Sequence, residues 1–200
     1  NYACLKLGTW YPKGGFGKVI QAMIAVAKNQ GVEFHTDDAV TSLEIQGKHI
    51  VKLTSEKGTK NYDGVIAAAD YHHVEEKLLG NGYRNYSEQY WDNRVLAPSC
   101  LIFYLGVKTK VDRLNHHTLF FDEDLKQHSR EIYKEAKWPS KPLFYVCCPS
   151  ITDPTVAPNG HENLFILMPL APNVKDLEAI REQYFTLIMD RLEAYTGTPI

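Results

Sequence analysis

Apolar residues at 16, 19, 20, 23, 24 and 27 recur at helical spacing, with Lys18, Gln21 and Lys28 between them. This spacing predicts an amphipathic helix from about Gly15 to Asn29, closed by Gly31. Val32–Phe34 reads as a short strand. Ala39–Ile45 is rich in β-branched residues, Gly47-Lys48 is a turn, and His49–Thr54 alternates polar and apolar, which together predict a hairpin. Lys57-Gly58 marks another turn, and Asn61–Ala69 reads as a strand with a small, apolar end. Asp70 is placed to cap a helix over Tyr71–Leu79, and Ser87 another through Arg94.

Beyond Pro98 the pattern predicts strands at Ser99–Val107, His117–Phe121, Leu143–Cys148 and Asn163–Pro169. A helix over Asp124–Lys137 lies between the second and third. Leu177, Ile180, Tyr184, Leu187, Ile188 and Leu192 trace a long closing helix. Strands and helices do not alternate regularly. The expected class is α+β (mixed α/β), with a mixed, largely antiparallel sheet and helices.

The 200 residues are 44% hydrophobic and 23% charged, which is globular composition. Net charge is −2 with no basic stripe, so no nucleic-acid partner is expected. The longest apolar stretches, Val19–Ala27 and Leu101–Val107, fall short of the roughly 20 residues of a membrane span. Cys4, Cys100, Cys147 and Cys148 form no C-x-x-C pair, which fits buried, reduced thiols and an intracellular setting. The chain opens at Asn1 without Met and stops after a helical pattern at Ile200, so both ends read as cuts within a longer protein.

Chemistry-bearing signals are sparse. Gly14-Gly15-Phe16-Gly17 precedes a helix, but without G-x-G-x-x-G or G-K-[ST] it reads as a tight turn before it reads as a phosphate loop. His72-His73 and His116-His117 are adjacent pairs. Neighbours in sequence point apart, so no metal site is expected at either, although His116 or His117 could line a substrate. Asp153-Pro154 through Gly160 is a stiff loop between two apolar strands. No nucleophile motif is present. Tyr90-Trp91, Phe103-Tyr104, Phe120-Phe121 and Phe144-Tyr145 cluster in or beside apolar strands; on a strand one ring of a pair faces each side, so one side fills a core and the other lines an apolar tunnel or meets a covering helix.

In order along the chain, several segments resemble the phytoene desaturase family, the bacterial-type carotenoid desaturases that use FAD. They are Tyr11-Pro12-Lys13-Gly14-Gly15-Phe16, Gly31-Val32 with Val40-Thr41-Ser42-Leu43, and Ala67-Ala68-Ala69-Asp70. Ser99 with Tyr104-Leu105-Gly106-Val107, Asn115-His116-His117-Thr118, and Pro149-Ser150 with Asp153 through Gly160 are the most specific.

The resemblance implies a middle fragment of a two-domain flavoprotein. Residues 1–84 would contribute strands and a helix to the FAD-binding domain, and 85–200 would form part of the isoprenoid substrate domain. Val40, Ala68, Ala69 and Asp70 would lie by the cofactor. Gly14, Gly15, Tyr104, His116, His117 and Tyr145 would lie by the substrate. No catalytic residue carries over. FAD is expected in the full-length protein and absent from this piece, because the pyrophosphate fingerprint is missing. The implied reaction is desaturation of a long isoprenoid such as phytoene, by a cytoplasmic enzyme at a peripheral membrane surface. A carotenoid isomerase, a retinol saturase, a carotenoid oxygenase and a non-enzymatic binding domain are the alternatives.

Overall fold

The computed structural model describes residues 6–200; Cys4 lies outside them. They divide into two compact units, Lys28–Val95 and, separately, residues 6–27 with Leu96–Ile200.

In the first unit, β1 (Val40–Gln46), β2 (His49–Ser55) and β3 (Gly58–Asn61) form an antiparallel sheet in the order β1-β2-β3. Gly47 turns the first hairpin at φ +64°, a conformation that costs a glycine little. Asp70 caps the following helix as expected, accepting from the His73 N–H at 2.9 Å. That helix, α2 (Tyr71–His73), continues as a π-helical turn over Val74–Leu78. Glu75 is buried there and accepts from the Tyr71 hydroxyl and from the Asn85 backbone and side chain. Burial alone would raise its pKa, but these donors outweigh it and hold the carboxyl below its ordinary range. Ser87 caps α3 (Glu88–Asp92), accepting from the Tyr90 N–H.

Two expected strands are absent. Val32–Phe34 is irregular, and the third strand ends at Asn61 instead of running on to Ala69. Residues 62–70 form no ladder among the described residues, and Ile66 is 96% exposed. An apolar run becomes a strand only where a neighbouring strand takes up its N–H and C=O groups.

In the second unit, α1 (Gly17–Asn29) starts two residues later than expected, and none of its residues is buried. The sheet comprises β4 (Ser99–Val107), β5 (His117–Phe120), β6 (Phe144–Cys147) and β7 (Glu162–Leu170). Its order is β4-β7-β6-β5, antiparallel throughout, so the last strand made lies in the interior. Burial along β7 alternates residue by residue. Leu164, Ile166, Met168 and Leu170 face a core completed by Val146 and Phe144 of β6. The closing helix α5 (Glu178–Thr196) covers that face with Tyr184, Ile188, Met189 and Leu192. It ends at Gly197 in the left-handed conformation, φ +71°. Each fully buried aliphatic side chain contributes about 1.5–3 kcal/mol by leaving water. Mixed α+β architecture with antiparallel sheets is therefore observed.

Helix α4 (Leu125–Tyr133) is capped by Asp124 and carries a buried carboxylate, Glu131. Burial opposes its charge, but Glu131 accepts from the Ser140 N–H and hydroxyl and from Gln127, and Lys137 lies 3.4 Å away. The balance holds its pKa at about 2. A carboxyl lowered by folding stabilises the protein above its unfolded pKa and loses that contribution as pH falls toward the folded value. Glu131→Gln is thus expected to be less stable than the parent at neutral pH. In urea unfolding as a function of pH, the gap should close between about 4.5 and about 2. A gap that does not change with pH would contradict this.

Candidate functional site

Directly paired residues of antiparallel strands share a face. The face opposite α5 therefore carries Cys100, Ile102, Tyr104 and Gly106 of β4 with Pro169, Leu167, Phe165 and Asn163 of β7. Tyr145 pairs Leu167 and Cys147 pairs Phe165. His117 pairs Cys147, and Leu119 pairs Tyr145. All are half-buried or exposed, and Tyr104 is 77% exposed. No element among the described residues of this unit covers them. Tyr104 meets Phe165 edge-on with centroids 5.4 Å apart, and Phe165 meets Tyr145 at 6.2 Å. The result is an open, aromatic and aliphatic wall that can take an elongated apolar molecule.

At the β5–β6 end the wall becomes polar. His117 Nδ1 shares a hydrogen bond with the Tyr145 hydroxyl at 2.5 Å, and the two rings stack. Burial, with Cys147 beside it, pushes the Tyr145 hydroxyl well above its ordinary pKa, so it stays protonated. The ring of His116 lies 4.4 Å from that of His117, and its Nδ1 shares a hydrogen bond with Thr152 Oγ1 at 2.5 Å. Burial first, and the charge of His117 second, lower the His116 pKa, so the ring is neutral at pH 7. The two histidines do not point apart as their adjacency suggests. His116 precedes β5 and is not held to strand alternation, so its ring swings back beside its neighbour.

A turn and a loop hold this end in place. Gly14 and Gly15 both have positive φ, at +84° and +83°, and the Gly15 N–H closes a turn on the Pro12 carbonyl. The expected tight turn is therefore present. The Gly14 N–H donates to Asp153 Oδ2 at 2.5 Å, and the ring of Tyr11 lies 4.6 Å from that of His116. Hydrogen bonds from Thr155 and then from Gly14 keep the Asp153 carboxyl below its ordinary pKa, so it stays charged. The loop from Pro149 to Gly160 is tied to the sheet at Ser150. Its hydroxyl donates to buried Glu162, and its N–H donates to Asn163 Oδ1. Cys148, behind the sheet, has its thiol pushed up to about 11, mainly by burial, and is inert.

Six residues singled out from sequence thus fall in one unit: Gly14, Gly15, Tyr104, His116, His117 and Tyr145. Tyr104, His117 and Tyr145 stand on the open face, and His116 and the glycine turn flank its polar end. Cys147, Phe165, Leu167, Thr152 and the ring of Tyr11 also belong to it. The two-residue period of β7 was the available signal for Phe165 and Leu167. The other four residues lie in Lys28–Val95. Val40 opens β1, an edge strand whose outer backbone groups face no strand of that sheet. Ala68 and Ala69 are exposed in the irregular segment, and Asp70 is committed to its helix cap.

Residues 5–199 fit the family model described as flavin containing amine oxidoreductase, and the chain belongs to that family. It is 37% identical to the carotenoid 3,4-desaturase of Haloarcula japonica, over 100% of this chain and 40% of the relative. It is 31% identical to the 4,4'-diaponeurosporene oxygenase of Staphylococcus haemolyticus, over 93% of this chain and 38% of that protein. It is 32% identical to the phytoene desaturase of Fusarium fujikuroi, over 89% of this chain and 31% of the relative. The chain thus spans at most 40% of the length of these relatives.

Proposed function

We propose that this chain is the substrate-side part of an FAD-dependent desaturase acting on a long isoprenoid of the carotenoid or phytoene type. The observation that carries the reading is the open sheet face: an aromatic and aliphatic wall with a single polar end, in a chain of a flavin-dependent family. The names of its relatives, a carotenoid 3,4-desaturase and a phytoene desaturase, support the substrate class. On this reading the unit that carries the wall, Leu96–Ile200 with residues 6–27, is the substrate side, and Lys28–Val95 contributes to the FAD domain.

Ile102, Tyr104, Leu119, Phe165 and Leu167 bind and align the polyene and keep water from the reacting carbons. The neutral His116 and the His117–Tyr145 pair can hold or pass on a proton at the polar end, through imidazole nitrogen and phenol oxygen. FAD, when bound, would supply the acceptor for the hydride lost from a C–H bond of one saturated carbon, while the adjacent carbon gives up a proton and the C–C bond between them becomes double. Within Lys28–Val95 the outer backbone edge of β1 at Val40 is unpaired in its sheet, and Ala68 and Ala69 are small and exposed, which is compatible with a contribution to a flavin site. Asp70 fits least well, since its carboxylate already takes the His73 N–H. A glycine fingerprint for the pyrophosphate is missing from this sequence, so the 200-residue chain alone is expected to retain no stoichiometric flavin.

No helix among the described residues is long and apolar enough to cross a membrane. A substrate this apolar resides in a bilayer, so we place the complete enzyme at a peripheral membrane surface on the cytoplasmic side, with no nucleic-acid partner.

The test is reconstitution of the full-length enzyme with FAD and phytoene or a carotenoid in liposomes. A product lighter by two hydrogens, with longer-wavelength absorption, is expected. Unchanged mass would make the enzyme an isomerase. A heavier product would make it an oxygenase, the chemistry named for the Staphylococcus relative. A product hydrogenated at one double bond would make it a saturase, and no product at all would favour a binding domain.

A further inference from the structure

Within the polar end of the open face, one ligand atom from each of His116, His117 and Cys147 lies within 4.8 Å of the other two. Tetrahedral zinc with two imidazoles and a thiolate needs spacings of roughly 3.3–3.7 Å, from bonds of about 2.0 Å to nitrogen and 2.3 Å to sulfur. Small side-chain rotations close that difference, because His117 and Cys147 are paired neighbours on adjacent strands. The Cys148 N–H also bonds the His116 carbonyl at 2.9 Å, which fixes the backbone of the third ligand against the same strand.

Two further observations point to an ion. Both rings have an oxygen partner at Nδ1, Thr152 Oγ1 for His116 and Tyr145 Oη for His117. With Nε2 as the binding nitrogen of each ring, such a partner on Nδ1 orients the ring and raises its basicity, as it does in metal-bound histidines. In addition, His116 Nε2 is buried and has no hydrogen-bond partner among the described residues. A buried nitrogen left unpaired is destabilising, and an ion would remove that cost.

We propose that His116, His117 and Cys147 form a binding site for a late first-row divalent ion, zinc(II), with the fourth position open. Two neutral imidazoles and one thiolate are borderline-to-soft donors, which excludes magnesium and calcium as occupants. On binding, the Cys147 thiol gives up its proton to solvent and the sulfur donates a lone pair to the metal, with no change in oxidation state. The site lies on the face assigned above to the substrate, but the inference does not depend on that assignment: it stands or falls on metal binding alone.

The experiment is cobalt(II) titration of the chelator-treated protein, followed by zinc competition. Cobalt should produce a thiolate-to-metal charge-transfer band and the visible bands of a tetrahedral site, and zinc should abolish both at one equivalent. Cys147→Ser should remove the charge-transfer band. His116→Gln and His117→Gln should each weaken binding at least tenfold. Cys100→Ser should leave the spectrum unchanged, and circular dichroism of each variant should match the parent. The proposal is overturned if cobalt gives no such band, if the band survives in Cys147→Ser, or if it disappears in Cys100→Ser.

Discussion

Truncating Ile166 to Ala is expected to lower stability by about 4 kcal/mol, read as a shift in urea midpoint with unchanged slope. Ile166 is the centre of the core. It is fully buried on β7, an interior strand, and lies among the residues that meet α5. Its surroundings cannot collapse onto a smaller side chain, because β4 and β6 fix β7 from both sides. The loss is therefore the transfer term plus a cavity, at the upper part of the usual range for such truncations. For a chain of this size the midpoint of thermal unfolding should fall by roughly 10 °C. A fall of less than 1 kcal/mol would mean that α5 does not hold the face assigned to it.

The adjacent position should behave in the opposite way. Leu167→Glu in the full-length enzyme is expected to leave unfolding within about 1 kcal/mol of the parent while kcat/KM falls at least a hundredfold. Leu167 is half-buried on the open side of β7, beside Tyr145 and across from Ile102. A carboxylate there stays hydrated in the folded protein and disturbs no core contact. Against a polyene, however, it must lose water without a partner, which costs several kcal/mol. A hundredfold loss corresponds to about 2.7 kcal/mol in the transition state. Should Leu167→Glu turn over within threefold of the parent, the open face is not the wall that holds the substrate. Comparing residues 166 and 167 thus separates packing from function on one strand.

Much of the fold was legible because its elements carry their own period. Ser99–Val107 was read to the residue, and the spacing from Ile180 to Leu192 located α5. Polar caps also read directly: Asp70 and Ser87 each accept from an N–H of the first turn, as a short acceptor before a helical run predicts, whereas Asp124, read as the first helical residue, turns out to be a cap as well. Residues 62–70 misled because a strand is a property of two segments, and one segment's β-branched and small residues say nothing about its partner.

The site divides in the same way. That Tyr104, His117 and Tyr145 sit on strands was readable, and alternation sends one of each aromatic pair outward. Which side is outward depends on where α5 docks, a long-range choice not written into the strands themselves. The His116–Cys147 proximity was hidden for a related reason: it depends on the register of β5 against β6, and on a residue just outside the strand.

The strand order β4-β7-β6-β5 also has a consequence during synthesis. β7 joins β4 to β6, yet it is the last strand to be made. At roughly 5–20 residues per second, β4 waits on the order of seconds for the partner that pairs all nine of its residues. Until Leu170 has been added, the nascent chain carries an apolar strand with both edges open. During that interval Ser99–Val107 is exposed to wrong pairing and would gain from a chaperone's protection.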